Sequence, residues 1–207
     1  MRIASGLLRR AGACQPRPPP PARRRTPAAV RGLATTGGEA DQGKPRRLKR
    51  YRARGVGGGA ELGPSGSRSE AESHVMVTDV TRAQGGKDAA PQPVNLLLAA
   101  LIGCETATAA FVARKMRITI GEIRFDLSAW RDEAGALSLP ITQDPAAPSR
   151  LQSVAGTALV ETDASAEEIA ALAHQVHTRC PVANMISASG CDLAVEWRGV
   201  PVGSLAK

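Results

Sequence analysis

The sequence predicts an α+β domain organised around one long apolar helix, and three observations carry that prediction. The stretch Asn95–Met116 (NLLLAALIGCETATAAFVARKM) is rich in Ala and Leu, free of Pro, and apolar around most of its circumference, as a core helix is. At about 1.5 Å per residue it would span roughly 33 Å, the width of a small domain. Around it the chain reads strands, long helix, strands, helix, strand, which is an α+β order rather than a regular βαβ repeat. The length would also suit a membrane span. Glu105, Arg114, Lys115 and the small residues from Thr106 to Ala110 favour a soluble core instead, so no membrane span is expected.

Composition narrows the rest. The formal charge is +8, but residues 1–38 hold eight Arg and no acid, which leaves 19 basic residues against 19 acidic ones in the remainder. The high pI therefore belongs to the leader, and a nucleic-acid partner for the whole chain loses its main support. Five aromatic residues in the whole chain mean that the core is built from Ala, Val, Leu and Ile. Such small side chains call for extra buried area, which points to a homodimer.

The leader has no continuous apolar run of the secretory type and is rich in Arg, Ala and Pro, which fits an organelle transit peptide. Residues 2–11 can form a short amphipathic helix, and Arg31–Thr36 resembles a matrix-protease cleavage region. Arg outweighs Ser, so the mitochondrial matrix is expected ahead of the plastid. A basic tail that binds something acidic is the other reading. Residues 39–47 follow as a polar linker, 48–200 as the folded domain, and 201–207 as a tail.

Within the domain, LKRYRARGVGGGAEL suggests a strand, a glycine turn and a short second strand. Ser73–Val80 is rich in β-branched residues and reads as a strand, followed by a Gly- and Pro-containing loop in which Lys87 and Asp88 are expected to be solvated. Pro93 stands where a first helical turn tolerates it. After the long helix, Ile118–Arg131 alternates, with Ile123, Phe125, Leu127 and Ala129 on one face. A turn at Asp132–Gly135 leads into a return strand over Ala136–Ile141, and Leu151–Glu161 is another strand. Ser165 and Glu168 form a capping box opening a helix to about His177, with Ile169, Leu172 and Val176 as its inward stripe. Pro181 ends that helix, a short helical segment follows at Val182–Ser187, and Asp192–Arg198 closes the domain as a strand with Leu193, Val195 and Trp197 inward.

Four cysteines are present, and Cys14 would leave with the leader. Of the others, Cys191 opens the last strand and reads as structural. No CxxC pair occurs, and His74, His174 and His177 make no convincing metal spacing with the thiols, so no metal is expected. Free cysteine is often a small buried hydrophobe, and by residue type alone that reading stays open for all three.

The surroundings of Cys104 and Cys180 say more. GGKDAAPQPVNLLLAALIGCETATA (Gly85–Ala109) and VHTRCPVANMI (Val176–Ile186), in this order and at this separation, resemble the OsmC/Ohr family, over roughly Leu48–Val200. The resemblance implies an OsmC-like fold: a long central helix wrapped by antiparallel sheets, in an intertwined homodimer. It also implies a thiol peroxidase cycle. Cys104 would attack an organic hydroperoxide and become a sulfenic acid, Cys180 would condense with it to a disulfide, and an external dithiol would reduce the pair, with no bound cofactor.

A helix interior lends little dipole help to a thiolate, so a nearby cation or donor is needed. The family's peroxidases carry an Arg in the early glycine-rich turn, held by a Glu ten residues before the first cysteine. Here that Glu position is Val94, and Gly55–Gly59 contains no Arg; Arg52, Arg54 and Arg82 are the nearby alternatives. Glu105 and His177 are the other candidate pocket residues. A second reading, favoured by Val94, is a binding protein on the same scaffold that holds a small apolar or thiol-reactive ligand without turnover.

Overall fold

The computed structural model describes residues 49–205, so the leader and the whole of the linker read from the sequence lie outside the described residues. All described elements fall in one compact unit that begins at Arg50. Their order is β1 (Arg54–Gly57), α1 (Gly59–Leu62), β2 (Ser67–Ala71), β3 (His74–Thr78), a 3₁₀ turn (Arg82–Gln84), α2 (Pro93–Met116), β4 (Ile123–Arg131), α3 (Ala134–Leu137), β5 (Leu151–Glu161), α4 (Ala166–Arg179), α5 (Pro181–Ala188) and β6 (Asp192–Val200). The strands form two three-stranded sheets, β1-β2-β3 and β4-β5-β6. The first is antiparallel throughout. In the second, β4 and β5 are antiparallel, while β5 and β6 are parallel and joined through α4 and α5. A parallel pair needs such a crossover.

α2 is the long helix the composition predicts, begun by Pro93 in its first turn and ended by Arg117 in the left-handed region, φ 62°. By length and composition alone it could cross a membrane. Here its stripe of Leu101, Glu105, Ala109, Val112 and Ala113 is buried, and its main helical partners are α4 and α5. α4 opens with the expected capping box: Glu168 N–H donates to Ser165 Oγ at 3.2 Å, and Ser165 N–H to Glu168 Oε2 at 2.8 Å. Its inward stripe of Ile169, Leu172 and Val176 packs against Ala109, Val112 and Ala113 of α2. Full burial of a Leu such as Leu101 or Leu172 contributes about 2 kcal/mol each. β4 and β6 turn their alternating apolar faces to this layer, and Phe125 meets Trp197 edge to face with ring centres 5.7 Å apart.

Several local readings are corrected. The second short strand after the glycines is the helical turn α1. Gly58 and Gly59 take positive φ and redirect the chain, and Lys87 Nζ donates to the Glu61 carbonyl at 3.0 Å, so Lys87 is tied down rather than merely solvated. The return strand at Ala136–Ile141 is replaced by α3 and an irregular loop. The Asp132 carboxylate accepts the Ala134 N–H at 2.9 Å and starts a turn, and β4 pairs directly with β5. Finally, β2 has no apolar period to reveal it. It is held by its ladder and by the Ser67–Thr78 hydroxyl pair at 2.7 Å. The strand expected from Ile118 begins only at Ile123, because Ile118 N–H still closes α2 on the Ala113 carbonyl.

Candidate active site

The two cysteines come together from different elements, Cys104 from α2 and Cys180 from the junction of α4 and α5. Cys104 stands in the middle of α2 and is half-buried; Cys180 is fully buried between α4 and α5. Pro181 lacks the N–H that would continue α4, so the chain breaks there and restarts as α5. Cys180 serves both helices. Its N–H donates to the Val176 carbonyl at 2.8 Å, and its Sγ accepts the Ala183 N–H at 3.4 Å. Asn184 fastens this junction, its Nδ2 donating to the carbonyls of His177, Thr178 and Cys180 at 2.9, 3.1 and 2.8 Å. The sequence reading did not single out Asn184. Its signal was an amide side chain one turn after a helix-breaking Cys-Pro.

Cys104 packs against the buried cluster that contains Cys180, and both thiols are free. They sit in an apolar cluster with Leu101, Val154, Ala183, Ile186 and Cys191. Burial pushes the Cys180 thiol up to about 11, the Ala183 N–H opposes this, and the neighbouring Cys104 adds to the rise. Cys180 is therefore a protonated thiol at neutral pH, in the same cluster as Cys104. A cavity of about 280 Å³, lined in part by Leu97, Val182, Met185 and Cys191, borders the same cluster.

The remaining candidate residues go elsewhere. Val94 is half-buried in the first turn of α2. Ten residues along one helix place it about 15 Å from Cys104, too far to touch it. Arg52 and Arg54 line a cavity of the first sheet with Arg50, Glu70 and Glu72. Glu105 turns toward α4 and β6, where it shares a cavity of about 290 Å³ with His174, His177 and Trp197, and neither Cys104 nor Cys180 lines it. So Glu105 and His177 are brought together, but apart from the thiols. Cys191 is buried, and burial raises its thiol as well. Among the described residues no group of three His, Cys, Asp or Glu is arranged to hold a metal ion.

Solved structures with the same fold include an OsmC-like protein from Mycoplasma pneumoniae, at 22% identity and TM-score 0.59, covering 73% of this chain and 98% of that one. An organic hydroperoxide resistance protein OsmC from Legionella pneumophila matches at 23% identity and TM-score 0.52, covering 76% and 100%. An organic hydroperoxide resistance protein from Elizabethkingia anophelis matches at 18% and 0.52, covering 76% and 99%. At these identities the likeness shows the fold. No curated protein matches the chain. The family model described as OsmC-like protein matches residues 85–196, a span that holds both cysteines and more than half of the sequence, and the chain belongs to that family.

Proposed function

We propose that the protein reduces organic hydroperoxides through a Cys104–Cys180 disulfide cycle, with an external dithiol as reductant and no bound cofactor. The packing of Cys104 and Cys180 in one apolar cluster is the observation that supports this most. Cys104 is the more exposed of the pair and attacks, as its thiolate, the outer oxygen of ROOH. The O–O bond breaks, one oxygen stays on sulfur as a sulfenic acid, and the other leaves with a proton as ROH. Cys180 then attacks the sulfenic sulfur, the S–S bond forms, and its proton departs with the hydroxyl as water. A dithiol returns two electrons and two protons and leaves as its own disulfide. The apolar walls at Leu97, Val182 and Met185 beside the cluster suit the organic part of ROOH.

The homodimer belongs to the same proposal. α2 leaves Ala99, Ala100, Gly103, Ala107, Ala110 and Phe111 exposed, and the first sheet exposes Val56, Val75 and Val77. A second copy would cover such surfaces, and it is the source from which a cation could approach Cys104. The Arg-rich leader supports action in the mitochondrial matrix.

The test is a thiol count on the full chain, which holds four cysteines, before and after one equivalent of cumene hydroperoxide. Loss of two thiols is expected, with Cys104→Ser unreactive and a sulfenic acid trapped at Cys104 in Cys180→Ser. No thiol loss over minutes would instead favour the binding reading, which Val94 supports.

A further inference from the structure

Glu105 is the one buried side chain among the described residues with an unanswered polar atom. It is 2% exposed, and its Oε2 has no hydrogen-bond partner. A buried carboxyl left in that state costs the fold, so its presence in the middle of the core helix calls for an explanation. Leu or Met at this point of the Leu101–Ala109 stripe would bury more apolar surface at no such cost. The carboxyl is part of the lining of the cavity between α2, α4 and β6. The cavity, open to solvent, is lined by Ala173, His174 and His177 of α4 and by Leu193, Val195 and Trp197 of β6.

We propose that this cavity is a ligand site separate from the thiol pair, and that it takes a small organic cation, a protonated amine or amidine carried on an apolar or aromatic body. The chemistry of the lining selects that class. Glu105 offers an acceptor and a negative charge with no donor from the described residues on Oε2. Trp197 offers an indole in the same lining, and an aromatic face attracts a cation. Leu193 and Val195 offer apolar contact to the rest of the molecule. A bare metal ion does not fit, because no three ligating side chains converge there. The volume, about 290 Å³, is of the order of ten water molecules and so admits a compact organic molecule. A bound cation would supply the partner that the fold withholds from Glu105, and its N–H groups would donate to the carboxylate. Ligand binding here would also report on α2 one residue from Cys104.

The experiment uses the full chain with Trp130→Phe, which removes the half-exposed Trp130 and leaves Trp197 as the sole tryptophan. Its fluorescence is followed on titration with benzylammonium chloride and, separately, with benzyl alcohol, a neutral molecule of the same shape. Saturable change with benzylammonium is expected, with affinity at least about tenfold higher than for the alcohol, and the same loss in Glu105→Gln. A charged hydrogen bond is worth that factor. Equal response to amine and alcohol, no saturable response to the amine, or unchanged affinity in a folded Glu105→Gln would each overturn the proposal. The alcohol comparison needs no change at Glu105, so the proposal stays testable should that variant fail to fold. No peroxide enters the assay, and its outcome is independent of the disulfide cycle.

Discussion

Cys180 shares one apolar cluster with Cys104 and stands at the break between two helices, where its sulfur accepts the Ala183 N–H. Helix α5 thus begins on a thiol that its own first turn of amides would help to ionise, and burial wins over that help. The consequence is a division of labour within the pair. One sulfur can be reached from outside, and the other is enclosed and keeps its proton.

That division predicts the alkylation behaviour of the two residues. With its thiol pushed up to about 11 against an ordinary 9.0, Cys180 should react with iodoacetamide at pH 8 on the order of a hundredfold more slowly than an unperturbed cysteine. Its rate should climb with pH until about 11. Peptide-resolved mass spectrometry reads this directly, and rapid modification of Cys180 at pH 8 would contradict it. The sign for stability follows. The folded state keeps a proton that the unfolded chain releases near 9, so stability falls as pH rises from about 9 toward about 11.

Glu105 gives a second pH signature, at a different point on the scale. Burial raises its carboxyl from 4.5 to about 7, so the folded state holds this proton more tightly than the unfolded chain does. Stability from this group is full below about 4.5 and is lost as pH rises through about 7. The rise amounts to at most about 3 kcal/mol, and solvent reaching the cavity reduces it to roughly 1–2 kcal/mol. His174 and His177 line the same cavity, and the aliphatic side chains of β6 and the Trp197 indole add no charge. Glu105→Gln keeps the shape and removes the titration. In chemical denaturation the variant and the wild type should therefore diverge between pH 5 and 8, with the variant gaining by that amount at pH 8. Parallel curves over that range would place the carboxyl in contact with solvent.

Much of this architecture was legible because burial leaves a period in the sequence. The α4 stripe of Ile169, Leu172 and Val176, the β4 alternation from Ile123 to Ala129 and the bounds of β5 all reflect one face turned to a core. Where no face is buried, the signal vanishes. β2 alternates Ser with Arg and Glu, so its hydrogen-bond ladder, not its composition, makes it a strand. The turn at Ala134–Leu137 depends on the Asp132 carboxylate, a local competition that apolar pattern does not register. The thiol pair was readable from motif and order. The separation of Glu105 from it was not, since a step of about 100° around α2 leaves open which neighbour the carboxyl meets. α4 and β6 decide that, and they come from sixty and more residues away in the chain.

Gly156 tests the central sheet. It lies in β5 opposite Leu127 of β4 and Val195 of β6. A Cβ added there would come within 1.9 Å of the Asp126 carbonyl oxygen, which is backbone and cannot rotate away. Gly156→Ala should therefore push β4 off β5 and destabilise the domain by at least about 3 kcal/mol, or prevent folding. Thermal unfolding beside Gly103→Ala makes the comparison sharp. A Cβ at Gly103 meets nothing of its own chain within 4 Å, and Ala is the better helix former there. A Gly156→Ala protein melting with the wild type would refute the close approach of these strands.

The last prediction concerns how α2 is delivered to its place. Asp79 stands at the end of the first sheet, nearly buried, and gathers the loop that leads into the core helix. Its Oδ1 accepts the Ser65 hydroxyl and the Val80 N–H at 3.1 and 2.8 Å, and its Oδ2 accepts the N–H groups of Lys87 and Ala89 at 3.0 and 3.2 Å. The Ala89 N–H, with the other donors, holds this carboxyl below its usual 3.8 despite burial. Asn would keep one acceptor oxygen but set an NH₂ group among donors that need acceptors. Asp79→Asn should thus free the Lys87 and Ala89 amides, raising their hydrogen exchange by about tenfold or more while the α4 amides stay protected. The same release should appear in the wild type only as pH falls below about 3.8, where the carboxylate takes up a proton and the stability it supplies is lost. Unchanged exchange at Lys87 and Ala89 in the variant would mean that the loop is held by its own backbone turn at Thr81–Gly86 and not by this carboxylate.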